Sequence, residues 1–595
     1  MIKVREAKSI TFPLPAMRRQ FTMQLLTRFR RTSLFIFPAI VALVCAWLYW
    51  NRPRYADMTA YVPSDCLAFV EVDNPLALFD GIEQSEAWKA LATPIGARSF
   101  RPINRRLIDV ARWTGVGSAD AVLLARSQLA IVFTGAETNK TDSSLTIRPL
   151  AVLVIETHTS QRRMKPVLEG HLQEFVQRMY DRPVLSHKQV DDIDVSEWLS
   201  ADGGHRLVAA FADSVAMIGN DEASVLRCID VRRGKSPSLA GNEQLKSLRA
   251  QAGSRDSSVF GFIPKAGIKP LLQAWILSHA GSAPDATTIA RLFADVFGNI
   301  IDGLSWTSTF TDGVAEDHCF LSLSEGIASQ LRANAVPDDR TILNNLSFVP
   351  RDVYSVSAYQ FRDTEGFWRD LNALVSSHAD VVAAIAARPL LRSLFKPYGI
   401  DDPDSFVRAA GPHLETIRQD ENSPSVLVTD TLDRRGLLRA SQERIGPAAK
   451  HEAVGDAELI SSSLNNWAVS FAENRFLIGP AENVRACVEA KAQSQTLASE
   501  DALRRSQQLV DTSLPIIALT FTDDRRAAIS FVELFSHHGR SAFSTNAETI
   551  NQASRRMPYA VAVTLMKDQS LEWTSRSSFG LLGSLLVRFA PENLN

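Results

Sequence analysis

Ala212-Asp-Ser-Val-Ala-Met-Ile-Gly-Asn-Asp-Glu-Ala-Ser-Val-Leu-Arg-Cys228 and Ala472-Glu-Asn-Arg-Phe-Leu-Ile-Gly-Pro-Ala-Glu-Asn-Val-Arg-Ala-Cys487 are two versions of one pattern. In each, a polar turn (Asp213-Ser214; Glu473-Asn474) precedes a short apolar run ending in Ile-Gly (Ile218-Gly219; Ile478-Gly479). The apolar run predicts a strand. A helix is predicted next, with Val225, Cys228 and Ile229 on one face in the first copy. Val484, Cys487 and Val488 hold the same i, i+3, i+4 spacing in the second. A glycine between strand and helix is expected at positive φ.

Outward from this pair most of the chain repeats. Val349-Pro350-Arg351-Asp352 matches Val62-Pro63-Ser64-Asp65 at an offset of 287, and Gly399–Asp404 matches Gly115–Asp120 at 284. Ser425–Thr431 matches Ala151–Thr157 at 274, Gly479 matches Gly219 at 260, and Tyr559–Met566 matches Leu304–Thr311 at 255. A steady fall in offset is what one tandem duplication with small deletions produces. Strands arriving in meanders and amphipathic helices between them predict an α+β fold. The expected architecture is an N-terminal transmembrane helix followed by two tandem, pseudo-repeated domains, each an antiparallel sheet with helices on one face.

The expected boundaries are a basic cytoplasmic segment over 1–32, a transmembrane anchor over 33–50, a spacer over 51–61, a first repeat over 62–325, a linker over 326–348 and a second repeat over 349–595. Ser33–Trp50 contains no charged residue and is near the minimum for a span of roughly 17–25 residues. Trp47, Tyr49 and Trp50 sit at its end, and Arg18, Arg19, Arg28, Arg30 and Arg31 precede it. This asymmetry predicts a cytoplasmic N-terminus and an exported remainder, the lipid bilayer being contacted through residues 33–50. Met17 and Met23 are alternative starts.

At 595 residues the chain exceeds one ordinary core. Its net charge of −2 supplies no basic field for nucleic acid, so no nucleic-acid partner is expected. Five cysteines are too few for a disulfide scaffold, and only a Cys66–Cys319 pair, on the first and last strands of the first half, invites consideration.

The opening Val62-Pro-Ser-Asp-Cys-Leu-Ala-Phe-Val-Glu-Val-Asp73 after an N-terminal span resembles uncharacterised bacterial envelope proteins of a family of unknown function. So does the Ala212–Glu222 segment. The resemblance implies a helix anchoring a large extracytoplasmic region in the inner membrane, and it brings no catalytic residues.

Chemical motifs are sparse. Gly115-Val116-Gly117 lacks the third glycine of a dinucleotide loop and follows no convincing strand, and the second copy, Gly399–Asp404, lacks the second glycine; Asp120 and Asp404 fit turn or cap roles. His537-His538 has no third ligand at metal spacing. Glu156-Thr157-His158 becomes Asp430-Thr431-Leu432 in the second copy, so the carboxylate recurs without the histidine and reads as a cap for the next helix. No catalytic, cofactor-binding or metal residue is therefore assigned, and no cofactor is expected. The expected function is non-catalytic scaffolding, sensing or interaction in the envelope, with a protein partner. The alternative is binding of an apolar or small ligand between sheet and helices, and a hydrolase is a distant third.

Overall fold

The computed structural model describes residues 55–97, 105–140, 145–251, 257–280, 286–324, 326–335, 346–378, 391–392, 394–501, 503–504, 516–536, 547–567 and 569–589, with positions 42, 43, 45, 46 and 49. The chain divides into two compact units. One is Met1–Arg54 with Ile103–Ala125, the other Tyr55–Pro102 with Arg126–Asn595. In the first, the helices Arg105–Thr114 and Ala119–Arg126 are joined through Gly115-Val116-Gly117.

Among the described residues the second unit holds twenty strands. They are β1 (Ala68–Val72), β2 (Gln128–Lys140), β3 (Leu145–Glu156), β4 (Val184–Val190), β5 (Ile193–Leu199), β6 (Arg206–Ala212), β7 (Val215–Gly219), β8 (Val259–Pro264), β9 (Ile301–Thr311) and β10 (Val314–Leu323) in the first half. In the second half they are β11 (Ser355–Gln360), β12 (Ala410–Arg418), β13 (Val426–Thr431), β14 (Lys450–Val454), β15 (Ala457–Ser461), β16 (Trp467–Ala472), β17 (Arg475–Pro480), β18 (Ala518–Thr522), β19 (Ala560–Met566) and β20 (Ser570–Ser577). All pair antiparallel, in the spatial order 4-5-6-7-3-2-1-8-9-10-20-19-18-11-12-13-17-16-15-14. Read from either edge, the order of the equivalent strands is the same. The two halves are one topology twice, joined by their last strands β10 and β20.

Register supports the duplication residue by residue. Phe69 pairs with Val132 and Phe262, and Val356, 287 residues later, pairs with Ile417 and Phe521. Val62 and Val349 are both fully buried, and their carbonyls accept from Leu239 and Leu497 at 2.8 and 2.9 Å. Tight hairpins build the meanders. Asp213 and Glu473, the first turn residues of the opening motif, have φ of 50° and 53°, as primed two-residue turns require. The helices Glu222–Arg232 and Ala481–Ala492 bury Val225, Cys228 and Ile229, and Val484, Cys487 and Val488, as their spacing predicts.

Four expectations are corrected. First, the sheet is continuous: the two halves are not separate sheets, because β10 and β20 pair along eight residues from Ala315 with Ser577 to Ser322 with Ser570. Second, helices cover both faces. On β13, Val426 and Val428 pack toward the helix Ala481–Ala492, while Leu427 packs on the other side in the cluster of Trp368, Phe406 and Leu437. Third, among the described residues no helix is long and apolar enough to cross a membrane, against the expected transmembrane, single-pass signal anchor. Of residues 33–50, only positions 42, 43, 45, 46 and 49 are described. Fourth, Gly219 and Gly479 do not adopt positive φ. They are needed for closeness: a Cβ on Gly219 would lie 2.8 Å from Val225 Cγ2 and 2.9 Å from the Ala151 carbonyl oxygen, and one on Gly479 3.0 Å from Val426 Cγ2. Part of the expected linker is also a helix, Ile327–Ala335, with Ile327, Ala328, Leu331 and Ala335 buried.

The halves exchange helices. Pro75–Gln84 and Glu86–Ile95, which follow β1, pack with Arg525–Glu533, Ala547–Ser554 and Gly580–Phe589 from the second half around Trp88, Trp306 and Phe531. Reciprocally, Thr364–His378, which follows β11, packs with Lys265–Ala280, Ala286–Ile300 and Ile327–Ala335 from the first.

Candidate functional site

The two copies differ in character on one stretch of sheet face. In the first half, Ile131, Val70, Gly261, Trp306 and Cys319 follow one another across β2, β1, β8, β9 and β10. Gly261 is small because the Trp306 ring lies on it: a Cβ there would stand 2.6 Å from Trp306 Cε3. The equivalent positions of the second half are Thr416, Ser357, Thr520, Ala562 and Ser575, across β12, β11, β18, β19 and β20. One row further along, Leu304 is replaced by Ala560. An apolar, filled face has become a row of hydroxyls with its bulk removed.

The covering helix stands differently too. In the first half, Gly267 draws the helix Lys265–Ala280 onto the chain entering β1, where a Cβ would lie 1.9 Å from the Leu67 carbonyl oxygen. The aligned residue of the second half is Arg526, which cannot approach so closely. Under the helices Arg525–Glu533 and Gly580–Phe589 there is consequently a cavity of about 520 Å³, lined by Thr520, Thr522, Ala560, Ala562, Asp524 and Trp573 among others. It shares Tyr354, Thr520 and Thr522 with an adjoining open groove of about 350 Å³ over Ser357, Tyr359, Thr416 and Arg418. Thr520 Oγ1 donates to Ser357 Oγ at 2.9 Å, tying the row together.

Two carboxylates hold the roof. Asp317, fully buried, accepts from Trp306 Nε1 at 3.1 Å, the Leu581 amide at 2.8 Å and Ser575 Oγ at 3.5 Å. Burial raises its pKa above the ordinary carboxylate value, and these donors oppose the rise. Gly580, at φ 67°, is required beside it, since a Cβ would lie 2.8 Å from Asp317 Oδ2. Asp524 Oδ2 accepts the Ser578 amide at 2.8 Å, while its Oδ1 is shielded from solvent and accepts no hydrogen bond. Burial pushes Asp524 up to about 6, against the Ser578 donors. Neighbouring Asp523 is engaged by Arg525.

A second polar feature recurs in both halves, at the ends of β2 and β3 and of β12 and β13. Glu156 Oε2 accepts from Tyr61 at 3.0 Å and Oε1 from the His158 amide at 2.9 Å; His158 Nε2 lies 3.0 Å from Gln128 Oε1. At the equivalent places, His413 Nδ1 lies 2.6 Å from Asp430 Oδ2, and Arg475 Nη1 lies 3.2 Å from Asp430 and 3.6 Å from Glu415. The recurring carboxylate is thus real, but it does not cap the next helix. It is held across strands, and a histidine returns beside it from β12 rather than from its own strand. Burial acts to raise Asp430, but the His413 hydrogen bond and the Arg475 charge outweigh it and hold it low. Burial dominates at Glu415, which is pushed up to about 8 despite Arg475.

The other motifs resolve structurally. The Gly115 amide donates to the Ala111 carbonyl at 2.8 Å, ending a helix, so Gly115-Val116-Gly117 joins two helices and follows no strand. Ser118 and Asp402 cap the following helices, and Asp404 accepts from Trp368 Nε1 at 2.8 Å. Cys66 and Cys319 are free thiols in different clusters. His537-His538 lies outside the described residues. Among the described residues, no three His, Cys, Asp or Glu side chains are grouped to hold a metal ion. The hydroxyl row went unread in the sequence, although aligning the copies in the correct register displays it. No protein-family model matches the chain, and no curated protein or solved structure matches it.

Proposed function

We propose that this chain is a non-catalytic binding protein for a small polar ligand, held between sheet and helices of its second half. The observation that supports it is the divergence of equivalent positions: Trp306 and Leu304 fill the first half, and Ala562 and Ala560 leave the second hollow beside hydroxyls. A cavity of this size with a few convergent polar groups is the usual form of a small-ligand site. Of the expected apolar or small ligand, an apolar one suits the hydroxyl row poorly. Catalysis is disfavoured because Asp317 is sealed by its three donors. Scaffolding calls for a contiguous apolar patch, whereas the exposed large apolar side chains come as short pairs on different elements, Val184 with Leu185, Leu107 with Val110 and Leu585 with Leu586, beside Trp275, Leu432 and Leu464 elsewhere.

The test is a thermal-shift panel of monosaccharides, polyols, amino acids, primary amines and short carboxylic acids. It compares the wild type with Thr520→Gly/Ala562→Trp, which rebuilds the Gly261–Trp306 pair in the second half. Compounds that raise the melting point of the wild type and not of the filled variant support the reading. Identical responses of the two proteins throughout the panel overturn it.

A further inference from the structure

The groove beside the cavity carries one unanswered charge. Arg418, at the end of β12, lines it together with Ser357, Tyr359, Tyr398 and Thr416. Among the described residues its guanidinium has no ion pair and no side-chain hydrogen bond. The remaining charges of groove and cavity are sealed or balanced. Asp317 and the Oδ1 of Asp524 are withdrawn from solvent, and Asp524 Oδ2 holds the Ser578 amide. Asp523 is paired with Arg525. Glu421 and Arg526, both exposed, act with opposite signs on Tyr354, where groove and cavity meet. Arg418 is therefore the charge left over.

The duplication shows what this corner replaced. Arg418 pairs with Ser355 as Phe133 pairs with Ala68 in the first half, and Tyr359 stands where the first half has Val72. Three apolar side chains have given way to a cation, a hydroxyl and a phenol, beside the row Thr416, Ser357 and Thr520. Burial raises Tyr354 and Tyr398 above the ordinary phenol value, so both stay neutral. A guanidinium presents a planar fork of donors that matches a carboxylate or a phosphate. Hydroxyls both donate and accept, which suits a ligand that carries hydroxyls itself.

We propose that the ligand of the second half is a small hydroxylated anion, its carboxylate or phosphate group held by Arg418 and its hydroxyls lying along Thr416, Ser357 and Thr520. This rests on the binding reading above and adds to it the ligand's charge and the end of the site at which that charge is held.

Calorimetric titration of the full chain with glucuronate, glucose 6-phosphate and uncharged glucose tests the assignment. The wild type should bind at least one of the two anions at least tenfold more tightly than glucose, and which anion it prefers tells carboxylate from phosphate. Arg418→Gln should lose that preference, and Arg526→Gln should keep it. Arg418 is exposed, so its replacement should leave the fold intact, and a melting curve of each variant checks this. Equal binding of the three sugars, a preference that survives Arg418→Gln, or one lost in Arg526→Gln overturns the placing of an anion on Arg418. Failure of all three probes to bind overturns it as well. In each of these cases the panel with the filled variant decides separately whether the second half binds a ligand at all.

Discussion

His318 and Thr574 are the same position of the repeated fold, and they lie opposite each other in the sheet, Nδ1 and Oγ1 3.3 Å apart. Along β9 and β10 the second copy follows the first at an offset of 256, and β10 runs antiparallel to β20. Only at His318 does a residue pair with its own counterpart, so a pseudo-two-fold axis passes through that pair. This is the self-complementary geometry of a two-fold dimer interface, written into one chain. The helix exchange on either side obeys the same axis, which places packing from both halves in each shared cluster.

Cooperative unfolding follows from that exchange. Neither half closes its helix layer alone, so calorimetry of the full chain should give one transition for the sheet unit. Two well-separated transitions would refute the interlocking of the halves.

Val225 and Val484 are fully buried at equivalent places. Each contributes roughly 1.5–3 kcal/mol through removal from water. Val225→Asp and Val484→Asp should each cost more than that, since an unpaired carboxylate enters an apolar core. Through the shared clusters each should lower the single transition of the whole unit. Urea melts of the two variants check this, and a wild-type midpoint for either would count against the equivalence.

Gly219→Ala and Gly479→Ala probe closeness. Added methyl groups would meet neighbours at 2.8 and 3.0 Å, so both should destabilise, by about 1–3 kcal/mol, with Gly219 the worse because a backbone oxygen at 2.9 Å cannot yield. Denaturant melts rank the two. A neutral Gly219→Ala would show that the site relaxes.

What the sequence disclosed was local. The turn Asp213-Ser214, the strand to Ile218 and the stripe Val225, Cys228 and Ile229 all lie within one short window, where periodicity decides. The β10–β20 seam joins residues 248 to 262 positions apart and has no local signal. The helix exchange is equally long-range. Matching Leu304–Thr311 to Tyr559–Met566 erred by one residue, for register pairs Ser308 with Val259 and Thr564 with Ala518. One residue in a strand reverses the face. That slip set Trp306 against buried Val561 and concealed its true replacement, Ala562. The hydroxyl row was thus present in the sequence and hidden by register.

Glu415 makes stability pH-dependent. Its pKa is about 8 folded, against 4.5 for an ordinary glutamate, so the folded state holds a proton that the unfolded state releases. The contribution is complete below about 4.5 and is lost as pH rises through about 8. Glu415→Gln keeps the neutral shape and removes the titration. Its stability relative to wild type should climb from pH 5 to pH 8, by on the order of 2–4 kcal/mol. Denaturant melts of both proteins at several pH values measure the difference, and parallel pH profiles would show that Glu415 does not titrate in this window.

Trp306→Ala and Thr520→Gly/Ala562→Trp are opposite exchanges at equivalent positions, and their costs should differ in kind. Trp306 is nearly buried, lies on Gly261 and donates to Asp317 at 3.1 Å. Its loss empties the first half and strips a donor from a buried carboxylate, so it should cost about 3–5 kcal/mol. The reverse exchange places an indole in about 520 Å³ of existing space, with Gly at 520 clearing the ring as Gly261 does. It should leave stability within about 1 kcal/mol of wild type or raise it, because burying apolar area offsets the side-chain entropy lost. Paired urea melts decide the matter. If filling the second half destabilises as much as hollowing the first, the second-half face is as closely packed as the first, and there is no room there for a ligand.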